Sequence, residues 1–174
     1  MKKILLLSDS HGHIDNIITK HAKWSDEIWH AGDIGNINVI DCLKKYSLVR
    51  GVYGNIDDQV IRGFFSENIF FKCENLSVLI THIGGYPGRY SKRIPSLLVK
   101  YKPKLFISGH SHILKIIQDK KYNLLHINPG ASGIIGFHHK RTMIRFEIDD
   151  EKIKNVFVID LGNRSLINEN DLKT

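Results

Sequence analysis

Residues 2–12 read K-K-I-L-L-L-S-D-S-H-G. Ile4 to Leu7 is apolar without alternation, the pattern of a strand buried on both faces. The run stops at Asp9-x-His11, and Gly12 lets the backbone turn at once. In an extended segment, residues two apart point the same way, so Asp9 and His11 can reach a common ligand. The basic start and short apolar run also resemble a secretory leader. Where a small-residue cleavage site belongs, S-D-S-H-G-H follows, and the segment is read as a first strand.

The pattern repeats outward from this stretch. Residues 14–24 place Ile14, Ile17, Ile18 and His21 at helical spacing, and the short strand E-I-W-H-A then ends at Gly32-Asp33. Residues 36–46 carry Ile37, Ile40 and Leu43 on one helical face, and L-V-R-G-V-Y leads into Gly54-Asn55. Strand, helix, strand, helix, strand is the order of a parallel α/β layer. Next, I-F-F-K-C and S-V-L-I-T-H flank a turn at E-N-L and read as a hairpin. G-G-Y-P-G-R-Y-S-K-R reads as a loop. A helix is predicted over 95–101, with Pro95 in its first turn and Pro103 beyond its end, then a strand over 104–108 stopping at Gly109-His110. The last third reads as antiparallel: I-L-K-I-I-Q with N-L-L-H-I-N, then T-M-I-R-F-E-I with I-K-N-V-F-V-I-D. The expected architecture is α/β, two mixed sheets with helices outside. It forms one domain over 1–164, followed by a polar C-terminal tail at 165–174.

The chain has 174 residues and is 42% hydrophobic, enough for one proper core. No apolar stretch approaches the roughly 20 residues of a membrane span. Cys42 and Cys73 are isolated, which points to two structural thiols in a reducing cytoplasm. The net charge of +7 favours phosphate-bearing partners in general, yet the lysines are scattered and no specific nucleic acid is expected. A homo-oligomer is left open.

Seven residues carry the chemistry: Asp9, His11, Asp33, Asn55, His82, His110 and His112. Each block has a bland reading by itself. Asp9 can cap a helix, G-D and G-N are turn signals, and a strand-end histidine is ordinarily a surface residue. G-H-S-H at 109–112 is more specific, with a polar turn as its bland reading. Together they place oxygen and imidazole donors at successive strand ends, where α/β sheets gather their ligands, and such donors suit two neighbouring divalent cations.

The ordered blocks D-S-H, H-A-G-D, G-N-I-D, T-H and G-H-S-H resemble the calcineurin-like metallophosphoesterases. The short length and N-P-G-A-S after the last block resemble that family's small bacterial and archaeal phosphodiesterase branch. The resemblance covers about residues 1–160 and implies a four-layer αββα sandwich. It implies one metal on Asp9, His11, Asp33 and His112, and a second on Asp33, Asn55, His82 and His110. Asp33 bridges, and a metal-bridging hydroxide attacks the phosphate ester in line. Mn is the metal most often implied, with Fe, Ni or Zn compatible with the same donors. Many members carry His after the metal-binding Asn, where it assists the leaving group. Here Ile56 stands there and cannot donate a proton, so the general acid is unassigned. The small branch often has an acidic residue next, as Asp57 is here. Ile83 stands where Gly is common and makes the adjacent loop less familiar.

His13 and His30 flank the donors as candidates for orienting them or for ordinary packing. Arg89, Arg93, His138, His139, Lys140 and Arg141 are candidates for a phosphate-binding rim or for a solvated surface. Trp24, Trp29, Phe64, Phe65, Phe70 and Phe71 read as core or subunit contact rather than a base-stacking platform. Three function classes follow: a metal-dependent phosphodiesterase acting on a small phosphate ester, a protein-interaction scaffold like the retromer subunit of this fold, and a basic nucleic-acid binder supported by charge alone. The intact donor set favours the first.

Overall fold

In the computed structural model, which describes residues 1–164, the chain begins β1 (Lys2–Leu7), α1 (Asn16–Ala22), β2 (Glu27–His30), α2 (Ile37–Lys44), β3 (Leu48–Gly51), α3 (Gln59–Phe64). It continues β4 (Asn68–Cys73), β5 (Leu76–Thr81), β6 (Gly85–Tyr86), β7 (Arg89–Tyr90), α4 (Ile94–Tyr101), β8 (Leu105–Ile107). It closes with β9 (Lys115–Asp119), β10 (Leu124–Asn128), β11 (Lys140–Asp149) and β12 (Lys152–Asn163). The expected tail at 165–174 lies outside the described residues.

The unbroken apolar run of β1 has a direct cause. Ile4 and Leu6 enter a core between two sheets, whereas Leu5 and Leu7 enter a second core under helices. The first sheet has the order β12-β11-β1-β2-β3, with β1, β2 and β3 parallel and β11 antiparallel to β1. The second has the order β4-β5-β8-β10-β9, with β5, β8 and β10 parallel and its edge strands antiparallel. Ile4, Leu6, Trp29 and Phe146 of the first sheet meet Val78, Ile80, Leu105, Ile107 and Ile127 of the second. Ile18, Ile40 and Ile61 of α1, α2 and α3 cover the first sheet's outer face, and Ile94 and Leu98 of α4 cover Leu79 and Phe106 of the second. These are the four layers α, β, β, α.

Helix starts follow their caps. Asp15 accepts from Ile17 N at 3.0 Å and Ile18 N at 2.9 Å, and Asn36 accepts from Asn38 N at 2.9 Å. Pro95 sits in the first turn of α4, and Lys102, left-handed at φ 45°, ends it before Pro103.

Register places the functional ends. Leu7 is level with His30, and His30 with Gly51, so β1, β2 and β3 finish together. In the other sheet Ile80 is level with Ile107, and Ile107 with Ile127. Aligned carboxyl ends bring the loops that follow them to one edge of the sandwich.

Three features differ from the expectations. α3 has no counterpart in the sequence reading; it is six residues long, contains Gly63, and leaves Val60 and Phe64 exposed, so its periodicity is weak. The segment read as a plain loop folds into a small hairpin, β6 with β7. The last third is only partly antiparallel, because β10 lies parallel to β8. Of the aromatics, Trp29 is core, with its indole N–H donating to Glu27 Oε2 at 3.0 Å, while Phe64 is exposed beside Lys44. No helix among the described residues is long and apolar enough to cross a membrane. Cys42 and Cys73 are free thiols, and burial pushes the latter's pKa up to about 11.

Candidate metal centre

All seven donor residues lie in loops that leave β1, β2, β3, β5 and β8. Five of them (Asp9, His11, Asp33, His110 and His112) hold the left-handed backbone, at φ 52°, 48°, 52°, 68° and 57°. For residues other than glycine this conformation is uncommon, and a cluster of it marks strain concentrated at a site. Two glycines allow the loops to close up. A Cβ at Gly54 would stand 2.0 Å from Asp33 Oδ1, and one at Gly109 would stand 2.1 Å from Ser8 Oγ.

The donors form two groups, Asp9 with His11 and His112, and Asp33 with His82 and His110. Asp33 turns one oxygen toward each: Oδ1 lies 3.2 Å from His82 Nε2 and Oδ2 lies 3.9 Å from His11 Nε2. Asn55 joins the second group through Oδ1, 3.1 Å from His82 Nε2.

Two atoms test whether the donors fit a cation. Asp9 Oδ2 accepts from Ser8 Oγ at 2.6 Å and from His110 N at 3.1 Å, but Oδ1 is buried with no hydrogen bond among the described residues. A buried carboxylate oxygen left so is costly. His82 Nδ1 donates to Ala31 O at 2.8 Å, so in the neutral ring Nε2 carries a bare lone pair. That lone pair faces the Asn55 and Asp33 oxygens, and either a proton or a metal cation must lie between them. The donor set of carboxylate, amide oxygen and imidazole, with no thiolate, fits a divalent cation of intermediate hardness.

The electrostatics of the donors divide. Burial works to lower the His82 pKa, but the hydrogen bond to Asp33 and the charges of Asp9 and Asp33 outweigh it, so the net shift is upward. Burial would raise Asp33, and hydrogen bonding to His82 outweighs it, so that carboxyl is lowered. For His11 and His110 burial dominates and both are lowered, which favours the neutral, ligating imidazole.

Neighbouring residues fix the donors. His138 Nε2 donates to Gly133 O at 3.1 Å, which leaves His138 Nδ1 to accept from His112 Nδ1 at 3.0 Å. That bond holds the His112 tautomer with Nε2 free. Asp57 ties two donor loops together: Oδ2 accepts from Gly54 N at 2.8 Å and Ile34 N at 3.1 Å, and Oδ1 accepts from Gly35 N at 2.7 Å. His30 accepts from Gly32 N at 3.2 Å and pairs with Ser10 Oγ at 2.8 Å, whose hydroxyl donates to Ile34 O. The sequence named His30 as an orienting candidate, and it braces the Asp33 loop. His13 instead turns to Asp15.

The rim candidates divide. Arg141 is buried and structural, donating to Ser132 O at 2.8 Å and Asp15 Oδ2 at 2.7 Å. Lys140 pairs with Asp160 on the surface, and His139 is exposed. Arg93 donates to Thr81 Oγ1 at 2.6 Å and lines a cleft with Arg62, Lys92, Asn55 and His82. Arg89 lines a separate hollow beside His110. His138, read as rim, instead braces a donor. No local sequence signal marks that role, because its contact with His112 spans 26 residues.

A family model for the calcineurin-like phosphoesterase superfamily domain matches residues 1–151. No curated protein matches the sequence significantly. Among solved structures, a predicted phosphoesterase from Streptococcus pneumoniae is similar at 20% identity, covering 94% of this chain and 90% of that one, with a TM-score of 0.70. A novel archaeal phosphodiesterase is similar at 20% identity, over 90% of this chain and 99% of that one, also at 0.70. Vps29 of Entamoeba histolytica, complexed with zinc, is similar at 15% identity, over 93% and 99%, at 0.71. At these identities the likeness is one of fold.

Proposed function

The chain belongs to the calcineurin-like phosphoesterase superfamily, and from that premise we propose that it is a metal-dependent phosphodiesterase acting on a small phosphate ester. Asp9, His11, Asp33 and His112 would hold one divalent ion; Asp33, Asn55, His82 and His110 would hold the other, with Asp33 shared. Mn is the favoured metal, and Fe, Ni or Zn suit the same donors. Two such ions, when bound, would activate water for in-line attack and offset charge developing on the phosphoryl oxygens.

One observation carries the reading. Seven donors converge; Asp9 Oδ1 is buried with no partner among the described residues, and His82 Nε2 faces the Asn55 and Asp33 oxygens, where a proton or a cation must lie. The surrounding residues hold those donors in place before any ligand arrives: His138 sets the His112 tautomer, while Asp57 and His30 fix the loops. Beside Asn55 the leaving-group side has no acid. Ile56 carries no proton, and the Asp57 carboxylate is engaged by three backbone N–H groups. Substrates whose leaving groups depart without protonation are therefore favoured. We further propose that residues 1–164 make one domain working in the cytoplasm.

The alternative, a protein-interaction scaffold, is supported by the likeness to Vps29, one structure of which is complexed with zinc. Metal binding thus fits either reading, and turnover distinguishes them. The test is hydrolysis of an aryl phosphodiester with and without Mn, beside His82→Ala and Asp9→Ala. Undiminished turnover in both variants, or none in the Mn-loaded wild type, defeats the proposal.

A further inference from the structure

The cleft over the donors has an unusual composition. Its volume is about 430 Å³, and its lining includes the donors His11, Asp33, Asn55, His110 and His112. The same lining includes three bulky apolar side chains, Ile56, Ile113 and Phe137. None is packed away: Ile56 is 48% exposed, Ile113 53% and Phe137 100%. Fully exposed phenylalanine gains nothing from folding, and apolar surface gathered at a cleft marks a place where something binds.

The placement of the three is set by the donors. Ile56 follows Asn55, Ile113 follows His112, and Phe137 precedes His138, which braces His112. The Phe137 loop is also pinned. Gly136 lies so close that a Cβ there would stand 2.3 Å from His112 Nδ1, Arg164 Nη1 donates to Gly136 O, and His138 donates to Gly133 O. A phenyl ring exposed on a fastened backbone is preorganised for a ligand, which reduces the ordering cost of binding. On the other side of Asn55, the cleft lined by Arg62, Lys92 and Arg93, with Glu67, is cationic. The two sides differ in kind, so the substituents of a bound diester are not equivalent.

We propose that Ile56, Ile113 and Phe137 form an apolar clamp for one ester substituent, and that the substrate is a phosphodiester bearing a flat aromatic group of aryl or nucleobase size. This rests on the phosphoesterase reading, since a phosphate held by the donors is what sets the substituent between these side chains. The volume suits one such group, and the walls offer it dispersion and burial rather than hydrogen bonds.

The test measures, by calorimetry on the Mn-loaded protein, binding of phenyl phosphate and methyl phosphate to the wild type, Phe137→Ala and Ile113→Ala. Aryl phosphodiester turnover is followed in parallel. The wild type should prefer the phenyl ester by about tenfold, as burying one ring implies, and the ratio should fall toward one in both variants. Both side chains are exposed, so neither substitution threatens the fold. Equal affinity in the wild type, or a preference unchanged in both variants, overturns the clamp even when turnover is normal. A preference that depends on Phe137 without any turnover defeats the catalytic reading and leaves the clamp as a ligand site. Binding of neither phosphate overturns the proposal and favours a protein segment as the occupant of the cleft.

Discussion

Asp9 Oδ1 lies 3.1 Å from His112 Nε2, and no hydrogen bond joins them. His112 gives its Nδ1 proton to His138, so the neutral ring has none at Nε2. A carboxylate oxygen and an imidazole lone pair at contact distance with no proton between them repel, unless a cation sits where both point. Ligands around a metal have this arrangement.

Removing the His112 brace should weaken the metal group containing Asp9. His138→Ala frees the ring and its tautomer, and loss of such an outer partner typically costs about 10–100-fold in metal affinity. Calorimetric titration with Mn checks this. An affinity within twofold of the wild type contradicts the role given to His138.

Asp57 couples the Asp33 and Asn55 loops, so its loss should be felt in both folding and metal binding. Asp57→Asn keeps the size but sets an amide N–H₂ against a backbone N–H. The buried mismatch should cost roughly 1–3 kcal/mol of stability. Chemical denaturation measures that term, and Mn titration of the same variant should show weakened binding. Wild-type values in both would show that the three hydrogen bonds do not hold the site.

Under the proposed phosphodiesterase activity, Ile56 should make turnover depend on the leaving group. Activated aryl diesters should turn over faster than diesters with poor leaving groups, because no side chain next to Asn55 supplies a proton. Ile56→His should raise kcat on the poor leaving group by about tenfold or more, since general acids commonly contribute at least that. Equal kcat on both ester types in the wild type contradicts this.

His126 should shape stability in mild acid. It is buried beside Ser108, and burial lowers its pKa from 6.5 to about 4. Between those values the unfolded chain binds the extra proton and the folded chain does not. Stability is therefore fully present above pH 6.5 and falls as pH drops toward 4. His126→Phe removes the titration, and thermal melts between pH 7 and 4.5 should show a shallower decline, by roughly 3 kcal/mol at most. An unchanged slope would assign the decline to other groups.

Much of the fold was legible because local signals and global packing agree. The run Ile4–Leu7 announced a strand buried on both faces, helical spacing announced α1 and α2, and Pro95 marked the start of α4; the Asp15 and Asn36 caps emerged only in the structure. The donors were legible because each follows a strand end, and aligned parallel strands bring their ends together whatever the intervening chain. What could not be read is tertiary. Nothing near His138 distinguishes a brace from a rim histidine. Arg141 is buried only because Asp15 and the Ser132 carbonyl wait for it. α3 has too short and exposed a pattern to announce itself, and the pairing of β10 beside β8 depends on sheet order rather than on either strand's sequence.

The most direct test follows turnover of an aryl phosphodiester by one preparation as purified, after removal of bound metal by a chelator, and after return of Mn, with metal per chain assayed at each stage. Two ions per chain are expected when loaded, with loss of activity on loss of metal and recovery on return of Mn. A fully loaded protein that turns over nothing, or one that keeps its activity after chelation, would contradict it.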